Sequence, residues 1–136
     1  MANEAVIIEL LGNKGDPIQY NCVDGDSFPK GTILKLSDNR EVDLSSADAE
    51  ICAGICAAEK VANDGATTVS VYTNGIFDLL STGVIGVGVP VTIGGANTIK
   101  AAAAGEAETG DICGYALAAF GGAETQSVRI FRWLKF

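Results

Sequence analysis

The sequence contains no histidine, one methionine, one tryptophan and three prolines among its 136 residues. Histidine is the commonest general base and a frequent metal ligand, so its absence removes the simplest basis for acid–base catalysis. Basic residues are also few, because nine Lys and Arg oppose seventeen Asp and Glu, for a formal net charge of −8. This balance argues against a chain that binds nucleic acid.

Long apolar runs are absent as well, and no stretch is long enough to span a bilayer, so no membrane partner is expected. The first twelve residues carry Glu4 and Glu9 and lack the basic region of a signal peptide. We therefore expect the protein to be made and folded in a cytosol. Its four cysteines should then be reduced and pack as small apolar side chains.

Cys52 and Cys56 are the pair that most resembles a metal motif. In a strand, residues four apart point the same way but lie ~13 Å apart, which is too far to share one ion. A zinc site also needs about four ligands at paired spacings. Neither a nucleophile–base pair nor a phosphate or calcium loop is present. We expect no metal, no cofactor and no enzymatic activity.

What the sequence has instead is glycine, at seventeen positions, and short apolar segments that alternate with polar residues. This pattern predicts an all-β protein. Residues 31–44 match residues 88–101 in pattern, and residues 48–74 match residues 111–133. The body, residues 31–136, is therefore interpreted as two similar units, about 31–75 and 88–132. Two copies are too few for a solenoid, so a duplicated barrel or sandwich-like domain is predicted.

Residues 1–30 lie outside this duplication and are interpreted as an N-terminal arm or an added hairpin. The arm is expected to pair with the body or with a neighbouring subunit. In the second unit, Ile85 to Ile93 alternate so cleanly that the odd-numbered residues should share one face of a strand. Pro90 interrupts that strand and predicts that it lies at a sheet edge or bulges there.

The two chain ends supply the candidate contact residues. The N-terminal run is apolar, and the C-terminal segment sets cations among aromatic side chains, a combination enriched at protein interfaces. The alternative is that the last strand closes the core while its charges reach water. The candidate oligomer or capsid contacts are Val6, Ile7, Ile8, Leu10, Arg129, Arg132, Trp133 and Lys135.

Lys60 carries the alternative hypothesis for function. Lys60 follows Ala57-Ala58-Glu59 and lies near a predicted turn. The acylated lysine of lipoyl and biotinyl domains also lies at a turn, and those domains are also duplicated β units. The flanking residues of those domains are missing. A carrier module using Lys60 is nevertheless kept as the alternative.

Four segments together resemble the tailed-phage head decoration, or capsid cement, proteins, small β proteins formerly grouped as uncharacterised phage proteins. The resemblance covers about residues 28–132 and rests on patterning and turn positions. The segments are KGTILKLSD (30–38), AGICAAEKVANDGATTVSVYTNGIFDL (53–79), VTIGGANTIKAA (91–102) and GDICGYALAAF (110–120).

This resemblance implies a non-enzymatic structural protein of the virion. Such a protein is made in the host cytoplasm and binds the exterior of the phage capsid after expansion. The major capsid protein is the implied partner, and the implied assembly is a homotrimer. The expected role is stabilisation of the expanded head.

Overall fold

A computed structural model describes residues 3–10, 17–103 and 111–131. Within these ranges the regular structure is β-strand without helix, which confirms the all-β prediction. The strands are short, three to six residues each. They are β1 (Val6–Leu10), β2 (Ile18–Asn21), β3 (Ile33–Asp38), β4 (Glu41–Leu44), β5 (Cys52–Cys56), β6 (Thr68–Tyr72), β7 (Gly75–Leu80), β8 (Pro90–Gly95), β9 (Thr98–Ala101), β10 (Gly114–Ala116) and β11 (Thr125–Ile130).

The strands form two sheets. Five of them close a barrel in the order β2-β4-β3-β5-β6, and the other six form an antiparallel sheet in the order β1-β7-β11-β10-β8-β9. The barrel closes through a short parallel contact between β2 and β4, where Asn21 pairs with Glu41. A barrel joined to a sheet lies within the predicted barrel or sandwich-like class.

The strands of residues 31–75 and 88–132 fall mainly into different sheets but have a common order. In the barrel the order is β4-β3-β5-β6, and in the sheet it is β9-β8-β10-β11. The first thirty residues contribute β1 to the sheet, beside β7, and β2 to the barrel, beside β6 and β4. The division into an arm and two similar units stays a prediction.

Two apolar cores result, and β3 contributes to both because its neighbouring side chains point to opposite faces. Leu34 is buried inside the barrel together with Phe28 and Val71. Ile33 joins the larger core between barrel and sheet, which also buries Phe77. The barrel is therefore packed against the sheet through the outward side chains of its own strands.

A buried polar link fixes this packing. The Ile33 amide donates a 2.9 Å hydrogen bond to Asn97 Oδ1, and the Asn97 amide donates one of 2.9 Å to Ser45 Oγ. Asn97 has φ +53°, a left-handed conformation that asparagine tolerates, in the turn between β8 and β9. The β8–β9 hairpin is thereby held to the barrel by satisfied buried groups, which would be costly to leave unpaired.

Two expectations for residues 85–93 are wrong. Ile85 and Val91 are buried, but Val87 is 68% exposed because the chain turns there before Gly88, whose φ is +78°. Strand β8 lies between β10 and β9 and not at an edge, and its register shift falls after Ile93. Pro90 is tolerated because it is the first residue of the strand, where a missing ladder donor costs little.

Candidate functional surfaces

One side of the six-stranded sheet covers the larger core, and its other side, here called the outer face, does not. Register places two rows of side chains across this outer face. Tyr115 of β10, Arg129 of β11 and Ile76 of β7 form the first row. The second row runs from Ser127 of β11 through Asp78 of β7 to Val6 of β1.

Arg129 lies near the middle of the outer face and is held by its neighbours. Its Nη2 donates a 3.3 Å hydrogen bond to Asn74 Oδ1, and its guanidinium carbon lies 5.9 Å from the centre of the Phe131 ring. That ring packs edge-on against Tyr115, with 5.6 Å between ring centres. Nε is buried and lacks an acceptor among the residues described. The result is a cation embedded in an aromatic surface.

Strand β1 forms one border of this face and is an edge strand. It pairs with β7 on one side, and no other described strand pairs with it on the other. Val6 is 56% exposed and Ile8 is 53% exposed, the latter at an irregularity between Ile7 and Glu9. An exposed edge with apolar side chains is a ready template for another protein chain, although the irregularity blunts simple strand addition.

The structure brings candidate contacts from opposite ends of the chain onto one surface. Val6 and Arg129 share the outer face, and Ile8 is exposed at its β1 border. Ile7 instead packs against the core, opposite Phe77. Leu10 ends β1, and its side chain lies outside the described set, as do the residues Arg132, Trp133 and Lys135.

Lys60 is buried and hydrogen-bonded, unlike a carrier lysine, which must project into solvent. Its side chain is 2% exposed, and Nζ donates to Asp24 O at 2.9 Å, to Val61 O at 3.1 Å and to Asp64 Oδ1 at 2.9 Å. Burial disfavours the ammonium, but the hydrogen bond and the charge of Asp64 outweigh it, so the pKa of Lys60 lies above its ordinary value. Acylation needs a free, projecting amine. The carrier alternative is therefore contradicted by this geometry.

A cavity of about 320 Å³, which the sequence did not predict, lies between barrel and sheet. Barrel residues such as Tyr20 and Cys52 line one side of it, and Cys113 and Phe131 line the side of the sheet. One available signal was that Cys52 and Cys113 occupy matching positions in the two proposed units. Matching strands packed across an interface can bring such positions together.

Neither a metal centre nor a membrane span is found in the part of the chain that the structure describes. No cluster of three or more cysteine or carboxylate side chains there is placed to hold an ion. No helix there is long and apolar enough to cross a bilayer.

No protein-family model matches this chain, and its sequence matches no curated protein. The fold, however, is similar to a solved structure, the head fiber gp8.5 N base of bacteriophage phi29. The TM-score is 0.54 at 16% sequence identity, over 88% of this chain and 98% of that chain. At this identity the similarity concerns the fold, and it extends over nearly all of both chains.

Proposed function

We propose that the chain is a structural protein of a phage head that binds the outer surface of the capsid and stabilises the expanded shell. The observation that carries this proposal is the fold shared with a phage head-fibre base over 88% of the chain. The resemblance to the cement proteins over residues 28–132 points the same way. The chain acts as a homotrimer on the major capsid protein, is located on the virion exterior and catalyses no reaction.

The physical mechanism is linkage between binding and assembly. A protein that binds the expanded shell but not its separated subunits stabilises the shell by mass action. A trimer makes three attachments at once, so each contact can be weak while the whole holds firmly. This mechanism needs a contact surface but no catalytic group. A sequence without histidine is compatible with it.

The outer face and its β1 border are the surface we assign to the capsid. Val6 and Ile8 offer exposed apolar area, and covering such area on binding is favourable. Arg129 adds a cation within a chain of net charge −8. An acidic surface of the major capsid protein would complement that cation and set the orientation of the bound trimer.

Binding to expanded heads tests both the function and the surface. The heads come from the phage whose genome encodes the chain, stripped of this protein, and bound protein is measured after sedimentation. Val6→Thr with Ile8→Thr removes apolar contact while preserving β-branched shape. If the capsid covers both side chains in the bound state, replacing their apolar groups by hydroxyls should lower the affinity roughly tenfold or more.

Val84→Thr with Val87→Thr is the matched control, because both valines are well exposed, at 72% and 68%, on the β7–β8 loop. It should bind like the parent. If the control loses affinity and the β1 variant does not, the capsid contact lies on that loop. If the parent chain itself does not bind expanded heads, the proposed function is wrong.

A further inference from the structure

The four cysteines fall into two pairs with different surroundings. Cys22 and Cys56 are buried together inside the barrel. Cys52 and Cys113 line the cavity between barrel and sheet, Cys52 at the start of β5 and Cys113 directly before β10. All four are free thiols.

The cavity pair is the one that can react. Cys52 is only partly buried, whereas Cys113 is 2% exposed behind it. Cys52 packs against the core cluster that contains Cys113, and both side chains line the same cavity. A hydrogen bond with Cys52, together with burial, raises the pKa of the Cys113 thiol. In the barrel, by contrast, Cys22 and Cys56 are both buried, and Cys56 Sγ donates to Ala58 O at 2.9 Å. An incoming reagent therefore meets Cys52 first.

We propose that Cys52 and Cys113 form a disulfide that fastens the barrel to the sheet when the protein meets a small-molecule disulfide, RSSR. First the Cys52 sulfur attacks RSSR, breaking its S–S bond, forming Cys52–S–S–R and releasing RSH. Then the Cys113 sulfur attacks Cys52, displacing a second RSH and closing the Cys52–Cys113 bond. Two protein thiols are oxidised, one RSSR is reduced to two RSH, and each released thiol carries one proton.

The link would connect positions about sixty residues apart that belong to different sheets. Closing so long a loop constrains the unfolded chain and stabilises the fold. For a virion protein, a consequence that rests on the proposed function, the thiols stay reduced in the cytoplasm and oxidise after release. The particle would then gain strength outside the cell.

The test uses the purified full chain alone, so its outcome is independent of capsid binding. Reduced protein is incubated with 2-hydroxyethyl disulfide, remaining thiols are alkylated, and the product is analysed by intact mass and non-reducing peptide mapping. We expect loss of two hydrogens and one linked peptide pair containing Cys52 and Cys113. The melting temperature should rise by roughly 5–15 °C and return on reduction.

Two variants assign the steps. Cys22→Ala with Cys56→Ala should still form the link, while Cys113→Ala should stop at a mixed disulfide on Cys52. The mapping of the unaltered protein decides the matter even if a variant fails to fold. A mixed disulfide that persists on Cys52 of the parent, a Cys22–Cys56 link, or no reaction while the denatured chain reacts would each overturn the proposal.

Discussion

The barrel and the six-stranded sheet share a strand order, but the barrel is closed whereas the sheet has an open edge strand. The barrel has no free edge, because β2 meets both β6 and β4, and its interior holds Phe28 and Val71. The sheet leaves β1 unpaired on one side among the described strands, and its outer face carries Arg129. Closure gives every barrel strand a neighbour on both sides, whereas an open edge leaves backbone groups available to a partner. The proposed capsid contact therefore uses the open edge and outer face of the sheet, and the closed barrel offers no such edge.

The largest effects should come from glycines that let strands approach closely. A Cβ at Gly114 would lie 1.8 Å from the Arg129 carbonyl oxygen in the sheet, and a Cβ at Gly54 would lie 2.2 Å from that of Tyr72 in the barrel. Both obstacles are backbone atoms, and Gly54 also has φ +145°. Gly114→Ala and Gly54→Ala should each destabilise the protein by more than about 4 kcal/mol, measured by urea unfolding.

Gly83→Ala is the control, because a Cβ there meets nothing within 4 Å. Hydrogen exchange of the Gly114→Ala variant then measures whether the barrel and the sheet unfold as one unit. Since Ile33 and Ile55 of the barrel lie in the core shared with the sheet, Gly114→Ala should reduce protection of β6 as well as β11. Unchanged protection of β6 would mean that the barrel is stable on its own.

The next effect concerns an ion cluster on the barrel side. Asp64 accepts hydrogen bonds from the Ala66 amide and from Lys60 Nζ, both at 2.9 Å, and these hold the pKa of Asp64 below its ordinary value. A depressed carboxyl pKa contributes stability that is full above the unfolded pKa, about 4, and is lost as pH falls through the folded value. Asp64→Asn should therefore lower the melting temperature at pH 7 and flatten its decline below pH 4.

Glu50 provides the comparison within the same unit. Burial opposes its ionisation, but hydrogen bonds from Lys35 and from the amides of Ser46 and Ala47 outweigh burial, so the pKa of Glu50 is also lowered. Glu50→Gln should act in the same direction as Asp64→Asn. If neither variant changes the acid limb of the stability curve, these carboxylates do not set the acid sensitivity.

A smaller effect separates the two buried thiol environments. Cys113→Ser places a hydroxyl in the apolar core between barrel and sheet, beside the Cys52 sulfur, a weak hydrogen-bonding partner, and should destabilise by roughly 1–3 kcal/mol. Cys56→Ser should cost less, because a hydroxyl can keep the donation that Cys56 Sγ makes to Ala58 O. Unfolding in urea of both variants at matched pH measures the difference. Equal losses would show that the Ala58 hydrogen bond is unimportant.

Residue patterns predicted the all-β class because period-two alternation and turn residues are local signals. The segments 33–38 and 98–101 are strands for that reason. Local patterns do not determine which strands pair, so the separation into one barrel and one sheet was not visible. The alternation through Val87 was misleading because Gly88 fits the alternating pattern as a small residue but forms a turn that ends the strand pattern.

The candidate surface was predictable only in part. The apolar run near the start of the chain supplied Val6 and Ile8, which are exposed, but it also supplied Ile7, which packs against the core. Separating them requires the register with β7, which depends on residues about seventy positions away. Lys60 misled for a related reason, since its partner Asp24 comes from a distant loop.

The smallest effect, and the one that tests the assignment of contact to the sheet, concerns charge at the C-terminal end. The segment after β11 contains Arg132 and Lys135, and the outer face already carries Arg129. Arg132→Glu with Lys135→Glu should weaken binding to expanded heads roughly three- to tenfold at low salt, and less as salt screens exposed charges. Lys30→Glu with Arg40→Glu makes the same change of charge at exposed turn positions on either side of β3, at the cost of the hydrogen bonds from Arg40 to Gln19 O, and should leave binding near the parent value. Sedimentation at two salt concentrations measures both variants. If the barrel reversal weakens binding as much as the tail reversal does, attraction to the capsid follows net charge, and the assignment of contact to the sheet fails.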